Sequence, residues 1–141
     1  MSSAAIIAYG MRRVARIELP DDQTFSIVLE QADAACWEKA IYAFLVGDEI
    51  KRIGSSKGPL GRRFKSWSRD VTNALCHKKS STPDWEAAEW RSCLHQHSGG
   101  EVYARIATTV TTPIGTFPAY MDEESVLINR YRPPLNRHTN R

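Results

Sequence analysis

The chain of 141 residues predicts an α+β domain built on a small, mostly antiparallel sheet of three strands flanked by helices. Paired β patterns come before any long helical pattern, and the later helical patterns surround one further strand. Apolar residues make up 42% of the chain and include four tryptophans, which is enough for one folded core. We expect an N-terminal β-hairpin extension over residues 1–38 and the main domain over residues 39–141.

The first half of the chain has the pattern of two hairpins. The stretch "RVARIELPDDQTFSIVLE" contains two β runs around a Pro-Asp-Asp turn, and "QADAACWEK" is a short helical or irregular connection. Residues 40–55, "AIYAFLVGDEIKRIGS", form the second hairpin. Its first side is almost wholly apolar, whereas its second side carries Lys51 and Arg52. A purely structural hairpin has no need of this asymmetry.

The second half predicts three helices and one strand. From Pro59, apolar residues recur at the spacing of one helix face, and proline suits the first helical position. "KKSST" ends this pattern, and Thr82-Pro83 opens a second helix through about His97. "EVYARIATTV" predicts a strand, "TTPIGTFP" a loop, and "DEESVLINRY" a final helix that ends before Pro133-Pro134. The apolar stripe of the first helix consists of Leu60, Phe64, Trp67, Val71 and Leu75.

Basic residues are concentrated in one segment. Residues 51–79 hold nine Lys or Arg against Asp70 alone, a net charge of +8, whereas residues 1–50 carry −4 and residues 80–141 carry −1. So concentrated a block is a candidate phosphate-binding surface. The alternative is an ordinary solvated helix face.

The sequence favours a cytoplasmic protein. No apolar run approaches the ~20 residues of a membrane span. The opening "MSSAAIIAYGMRR" has its basic residues after its apolar stretch, the reverse of a secretory signal. Cys36, Cys76 and Cys93 form no evident disulfide framework, which favours a reducing compartment. Two of these cysteines lie near histidines, but their spacing is unlike that of known zinc sites.

Four short stretches, taken in order, resemble the GIY-YIG nuclease family. They are "AIY", then "RIG" ten residues later, then "SSKGPLGRRF", and finally "ESVLINRYRPPLN". The resemblance covers residues 40–136, and the last stretch is its most specific part. It implies a small sheet that bears the two signature triplets, a catalytic arginine on the first helix and a metal-binding glutamate on a later helix.

The resemblance assigns roles to individual residues, with two departures. Tyr42 matches the first signature tyrosine and Gly54 the glycine of the second triplet, but Arg52 stands where the second tyrosine belongs. Arg63 matches the catalytic arginine better than its neighbour does, because the order Leu, Arg, Phe is reproduced around it. Some members have a histidine one turn later, where this chain has Trp67. By the same resemblance, Lys57 and Asn136 assist at the site.

Glu124 is the candidate metal ligand. The residues three, four and seven positions after it are apolar or aromatic, so Glu124 lies on the apolar face of its helix, whereas Asp122 and Glu123 turn away and suit the helix dipole. A carboxylate on that face needs a partner. Mg²⁺, or another divalent cation such as Mn²⁺, prefers oxygen ligands and suits phosphodiester hydrolysis.

The arginine of the predicted site lies in a groove, and other basic residues point outward. Arg63 follows Leu60 by one turn and precedes Trp67 by one, so its guanidinium can bind a phosphate with two hydrogen bonds. The outward residues of the same helix suit contacts to the DNA backbone. These residues are Arg62, Lys65 and Arg69.

The register of the second hairpin decides whether Tyr42 and Arg52 can share a site. With a two-residue Gly47-Asp48 loop they fall on opposite faces of the sheet, and with a three-residue loop through Glu49 they share one face. A shared site requires the second register. Arg52 beside Tyr42 would then favour the phenolate that can act as a base. His77 is the first alternative base.

The sequence therefore predicts a metal-dependent endonuclease that hydrolyses phosphodiester bonds in DNA, with Tyr42, Arg52, Arg63 and Glu124 as catalytic residues. A homodimer is expected if both strands are cut. The alternatives are a catalytically impaired GIY-YIG-like module that binds nucleic acid, or a basic surface that binds an acidic protein.

Overall fold

The computed structural model describes residues 3–136 and confirms the α+β class. The helices of this part of the chain are α1 (Ser3–Ala8), α2 (Leu60–Leu75), α3 (Asp84–His97) and α4 (Tyr120–Tyr131), with a 3-10 turn at Ala32–Cys36. Its strands are β1 (Arg12–Asp21), β2 (Thr24–Leu29), β3 (Ala40–Val46), β4 (Glu49–Ser56), β5 (Gly100–Ile106), β6 (Thr109–Thr112) and β7 (Gly115–Pro118).

The main sheet has five strands, so the expected number of three was wrong. Its order is β2-β1-β5-β3-β4, and all neighbours are antiparallel. The N-terminal hairpin is part of this sheet because β1 pairs with β5. In this pairing Ala15 lies opposite Val102. The proposed boundary between residues 38 and 39 stays a prediction.

The stretch predicted as a loop over residues 111–118 is also different. It supplies most of a small separate hairpin, in which β6 pairs with β7 and Val110 lies opposite Phe117. Threonine, valine and phenylalanine favour extended backbone, and Gly115 takes a positive φ that suits the turn. The two prolines, which suggested a loop, lie in the turn and at the end of β7.

β3 is the centre of the fold and explains its apolar sequence. All seven of its residues are buried, because helices cover both faces of the sheet. Tyr42, Phe44 and Val46 pack with α2 and α3 on one face. Ile41, Ala43 and Leu45 pack on the other face with Ile6 of α1 and Leu127 of α4. Within the described residues, no helix is both long and apolar enough to cross a membrane.

The β3–β4 hairpin reaches the required register by an unexpected route. Val46 lies opposite Glu49, so the loop has the two residues Gly47 and Asp48, both with positive φ. The expected three-residue loop was wrong. A β-bulge at Lys51 shifts the pairing, so that Phe44 lies opposite Arg52 and Tyr42 opposite Gly54. Tyr42 and Arg52 therefore share one face of the sheet.

Candidate active site

Tyr42 is held rigidly at the centre of β3. Its ring stacks on Phe44 at a centroid distance of 5.2 Å and meets Phe64 edge-on at 5.8 Å. The glycine opposite leaves room for this ring: a Cβ on Gly54 would lie 2.5 Å from the Cζ and hydroxyl atoms of Tyr42. The glycine of the second triplet is thus required by the tyrosine of the first.

The hydroxyl oxygen of Tyr42 accepts two hydrogen bonds from α2. Arg63 donates through Nε at 3.2 Å, and Trp67 donates through Nε1 at 2.8 Å. An indole nitrogen only donates, so Trp67 cannot serve as a base. The sequence placed Trp67 on the apolar stripe of α2, at the position of a missing histidine, but did not reveal its hydrogen bond to Tyr42; its position one turn after Arg63 was the available signal.

Arg63 is the cation nearest to the Tyr42 hydroxyl, a place the sequence had suggested for Arg52. Arg63 lies on α2 between the buried residues Leu60 and Trp67, at the edge of the hydrophobic core. The residue itself is exposed. Interaction with Tyr42 raises the pKa of the Arg63 guanidinium despite the opposing effect of burial, and Glu124 adds in the same direction. Arg63 therefore keeps its positive charge.

Glu124 approaches the same region from α4, across the edge strand β4. Its Oε1 accepts a hydrogen bond of 2.8 Å from the Ser55 hydroxyl, and the side chain is half-buried. Ser55 follows Gly54 but points to the other face of the strand, so Tyr42 and Glu124 flank β4 from opposite faces. Glu124 also helps to raise the pKa of the Arg63 guanidinium. Sequence reasoning missed Ser55.

Glu123 differs from Glu124 in its contacts. Its carboxylate forms an ion pair with Arg105 and accepts a hydrogen bond of 3.0 Å from the Thr108 backbone N–H. Glu123 therefore fastens α4 to the end of β5. This leaves Glu124 as the acidic side chain of α4 that contacts Ser55 of β4.

Glu124 is the carboxylate that decides whether this site can hold a metal ion. Across residues 3–136, no group of three or more His, Cys, Asp or Glu side chains is arranged to hold a metal ion. Glu124 offers two oxygens of the type that Mg²⁺ prefers, in a partly open position that leaves room for water ligands, so the site fits a metal held by one protein side chain. His95 of the weak zinc candidate is paired with Asp22.

Arg52 is turned away from the Tyr42 hydroxyl. Its Nη1 donates to the Leu135 carbonyl at 2.7 Å and lies 3.3 and 3.4 Å from the two carboxylate oxygens of Glu86. Its Cζ lies 4.8 Å from the centre of the Trp67 ring. Trp67 therefore links Arg52 with Tyr42, which corrects the expectation of a direct pairing.

The predicted substrate-binding residues divide into two groups. Four of them are exposed. Of these, Arg69 forms an ion pair with Asp70, with 3.0 Å between Nε and Oδ1. These four are Lys57, Arg62, Lys65 and Arg69. Asn136 is different, because it is buried and its amide makes two hydrogen bonds of 2.8 Å to the Ile53 backbone. It fixes the segment that follows α4 to β4, and its role toward substrate stays a prediction.

A cavity of about 290 Å³ lies beside this constellation, between β4, α2 and α3. Arg52, Arg63 and Trp67 line this cavity. The remaining lining residues are polar, namely Ser66, Asp70, Ser81, Thr82 and Glu86.

The fold that carries these residues is shared with other proteins, as comparison with solved structures shows. Bacteriophage T4 EndoII, solved as a mutant, matches 96% of this chain and 98% of its own, with a TM-score of 0.69 and 23% identity. The restriction endonuclease HPY188I in complex with product DNA matches 93% of this chain and 79% of its own, with a TM-score of 0.55 and 16% identity. No protein-family model and no curated protein matches the sequence.

Proposed function

We propose that the chain is a metal-dependent endonuclease of GIY-YIG type that hydrolyses phosphodiester bonds in DNA. One observation carries the proposal: Arg63 donates a hydrogen bond to the hydroxyl of Tyr42 on one face of β4, and Glu124 contacts Ser55 on the other face of the same strand. A cation, a phenol and a carboxylate thus flank the edge strand of a fold shared with a restriction endonuclease solved with product DNA.

Arg63 binds the scissile phosphate in this mechanism. Its guanidinium is fixed on a helix and remains charged, and it stabilises the additional negative charge that develops on the phosphate oxygens. Glu124 would hold the divalent cation, which supplies further charge stabilisation at the phosphate. Exposed Lys57, with Arg62 and Lys65 of α2, binds neighbouring backbone phosphates.

Tyr42 acts as the base. A water oxygen attacks phosphorus and passes a proton to the phenol oxygen, while the bond from phosphorus to the leaving sugar oxygen breaks and that oxygen takes a proton from solvent. The phenol must be anionic when it accepts the proton, and Arg63 and Trp67 both donate hydrogen bonds to that oxygen. Arg52 does not contact the phenol oxygen itself but packs on the ring of Trp67.

One observation favours the alternative of a nucleic-acid-binding module without catalysis. Tyr42 is 0% exposed, so water reaches its oxygen only if Arg63 moves when phosphate binds. Plasmid nicking decides between the two functions. We expect nicking of supercoiled plasmid in Mg²⁺ or Mn²⁺ and none in EDTA. DNA binding without nicking under any of these conditions would support the alternative.

The remaining proposals concern context. One site cuts one strand, so we propose a homodimer if linear product appears together with nicked product. End mapping on random duplex, branched DNA and RNA identifies the substrate. A cytoplasmic location stays a prediction.

A further inference from the structure

Glu86 is a buried carboxylate that the proposed reaction does not use. It lies on α3 and is 2% exposed, and its Oε2 accepts a hydrogen bond of 3.4 Å from Trp90 Nε1. Both of its oxygens face Nη1 of Arg52. A buried charge is costly unless it is paired, so Glu86 and Arg52 each require the other.

Arg52 transmits this constraint to Trp67. Its guanidinium lies 4.8 Å from the ring centre of the indole, and Nη1 is also held by the Leu135 carbonyl. The Nε–H of Arg52 is buried and has no hydrogen-bond partner among the described residues.

Trp67 completes a connection of three contacts. Its ring packs edge-on against Phe44 at 5.1 Å, and its Nε1–H points to the Tyr42 hydroxyl. The orientation of the indole plane decides whether that donor reaches the phenol oxygen, and the guanidinium of Arg52 covers one face of that plane.

We propose that Glu86 is a positioning residue: by fixing Arg52 over Trp67, it aims the indole N–H at the oxygen of Tyr42. This inference rests on the proposed function only in its effect on cleavage. The effect on the Trp67–Tyr42 hydrogen bond is independent of any catalysis.

A double-mutant cycle on single-turnover nicking tests the route through Trp67. We expect Glu86→Gln to slow nicking about tenfold in the natural background but less than about twofold in a Trp67→Phe background, because phenylalanine has no donor to aim. Glu89→Gln, an exposed change one turn along α3, is the matched control and should leave the rate unchanged. An equal effect of Glu86→Gln in both backgrounds would overturn the inference.

A second measurement does not require activity. The indole N–H of Trp67, assigned by its loss from the nitrogen-15 NMR spectrum of Trp67→Phe, should exchange slowly with solvent deuterium. Glu86→Gln should speed that exchange about tenfold, as should Tyr42→Phe, and Glu89→Gln should not. If wild type does not nick DNA, the proposed function fails while this exchange experiment still decides the inference. Unchanged exchange in Glu86→Gln would refute it.

A variant that lacks both charges, of Arg52 and of Glu86, distinguishes a folding defect from the loss of the positioning role. The double variant Arg52→Leu/Glu86→Leu leaves no unpaired buried charge, so we expect it to stay folded, with a melting temperature lowered mainly by the loss of the acceptor of Trp90 Nε1. Its nicking should still be slow and its Trp67 exchange fast. A stable double variant with wild-type nicking and wild-type exchange would contradict the positioning role.

Discussion

The replacement of Tyr42 by phenylalanine gives the most direct test of the site. The change removes one oxygen and keeps the ring, so the contacts with Phe44, Phe64 and Gly54 are retained. What is lost is the acceptor of two hydrogen bonds, from Arg63 and Trp67.

The structure sets the expected magnitudes. Trp67 is 9% exposed, so its donor loses its partner in a buried place, at a cost of about 1–3 kcal/mol in the free energy of unfolding. Arg63 is exposed and can turn to water, so it adds little. Removal of a general base lowers rates by about 10²–10⁴-fold. Tyr42→Phe should therefore stay folded and bind DNA, but nick it at least about a hundredfold more slowly.

Single-turnover nicking of supercoiled plasmid, with thermal unfolding and DNA binding on the same preparation, provides the measurement. Phe44→Leu on the same strand is the control for altered packing: it should lower stability while the phenol oxygen keeps both donors. A Tyr42→Phe variant with an undiminished rate would show that Tyr42 is not the base. The search would then move to His77, which lies just beyond α2.

Three further predictions follow from the same geometry. Glu124→Gln should abolish Mg²⁺-supported nicking and leave DNA binding nearly intact, whereas Glu123→Gln should mainly lower stability by freeing Arg105; equal nicking by wild type and Glu124→Gln would exclude the metal role. Arg63→Ala should lower the cleavage rate far more than affinity, and a loss of affinity alone would make it one more backbone contact. Neutralising the three outward basic residues of α2 should instead weaken binding for all sequences and flatten the salt dependence by about 2.7 in log–log slope, and an unchanged slope would place the DNA elsewhere. Those residues are Arg62, Lys65 and Arg69.

Local patterns predicted most of the secondary structure but not its assembly. The apolar stripe of α2 and the Thr82-Pro83 start of α3 come within a residue or two of the observed helices. The pairing of β1 with β5 joins segments almost ninety residues apart, and neither strand carries a signal for its partner. The bulge at Lys51 is equally hidden, because it consists of one extra residue in β4 and no special residue type marks its position.

The same distinction applies to the site. Motif spacing singled out Tyr42, Arg63 and Glu124, which the fold brings to one edge of the sheet. Spacing could not reveal Ser55 as the partner of Glu124, or Glu86 as the partner of Arg52, because these contacts bridge 69 and 34 residues of chain. It also suggested the wrong partner for Tyr42, since a residue on the adjacent strand is nearer in sequence than one on a helix.

The two positions at which the sequence differs from the GIY-YIG pattern that it resembles are better understood together than separately. Arg52 places a cation on the face of β4 that packs against α2 and α3, and Trp67 places an aromatic face where that cation can lie. The cation then requires an acid, which α3 supplies as Glu86. Either substitution alone would leave a group without its partner: Arg52 without the ring that it covers, or Trp67 without the guanidinium that orients it. Together they preserve what Tyr42 needs, namely two donors directed at its oxygen, one of them fixed inside the fold and the other, Arg63, placed where a phosphate can reach it.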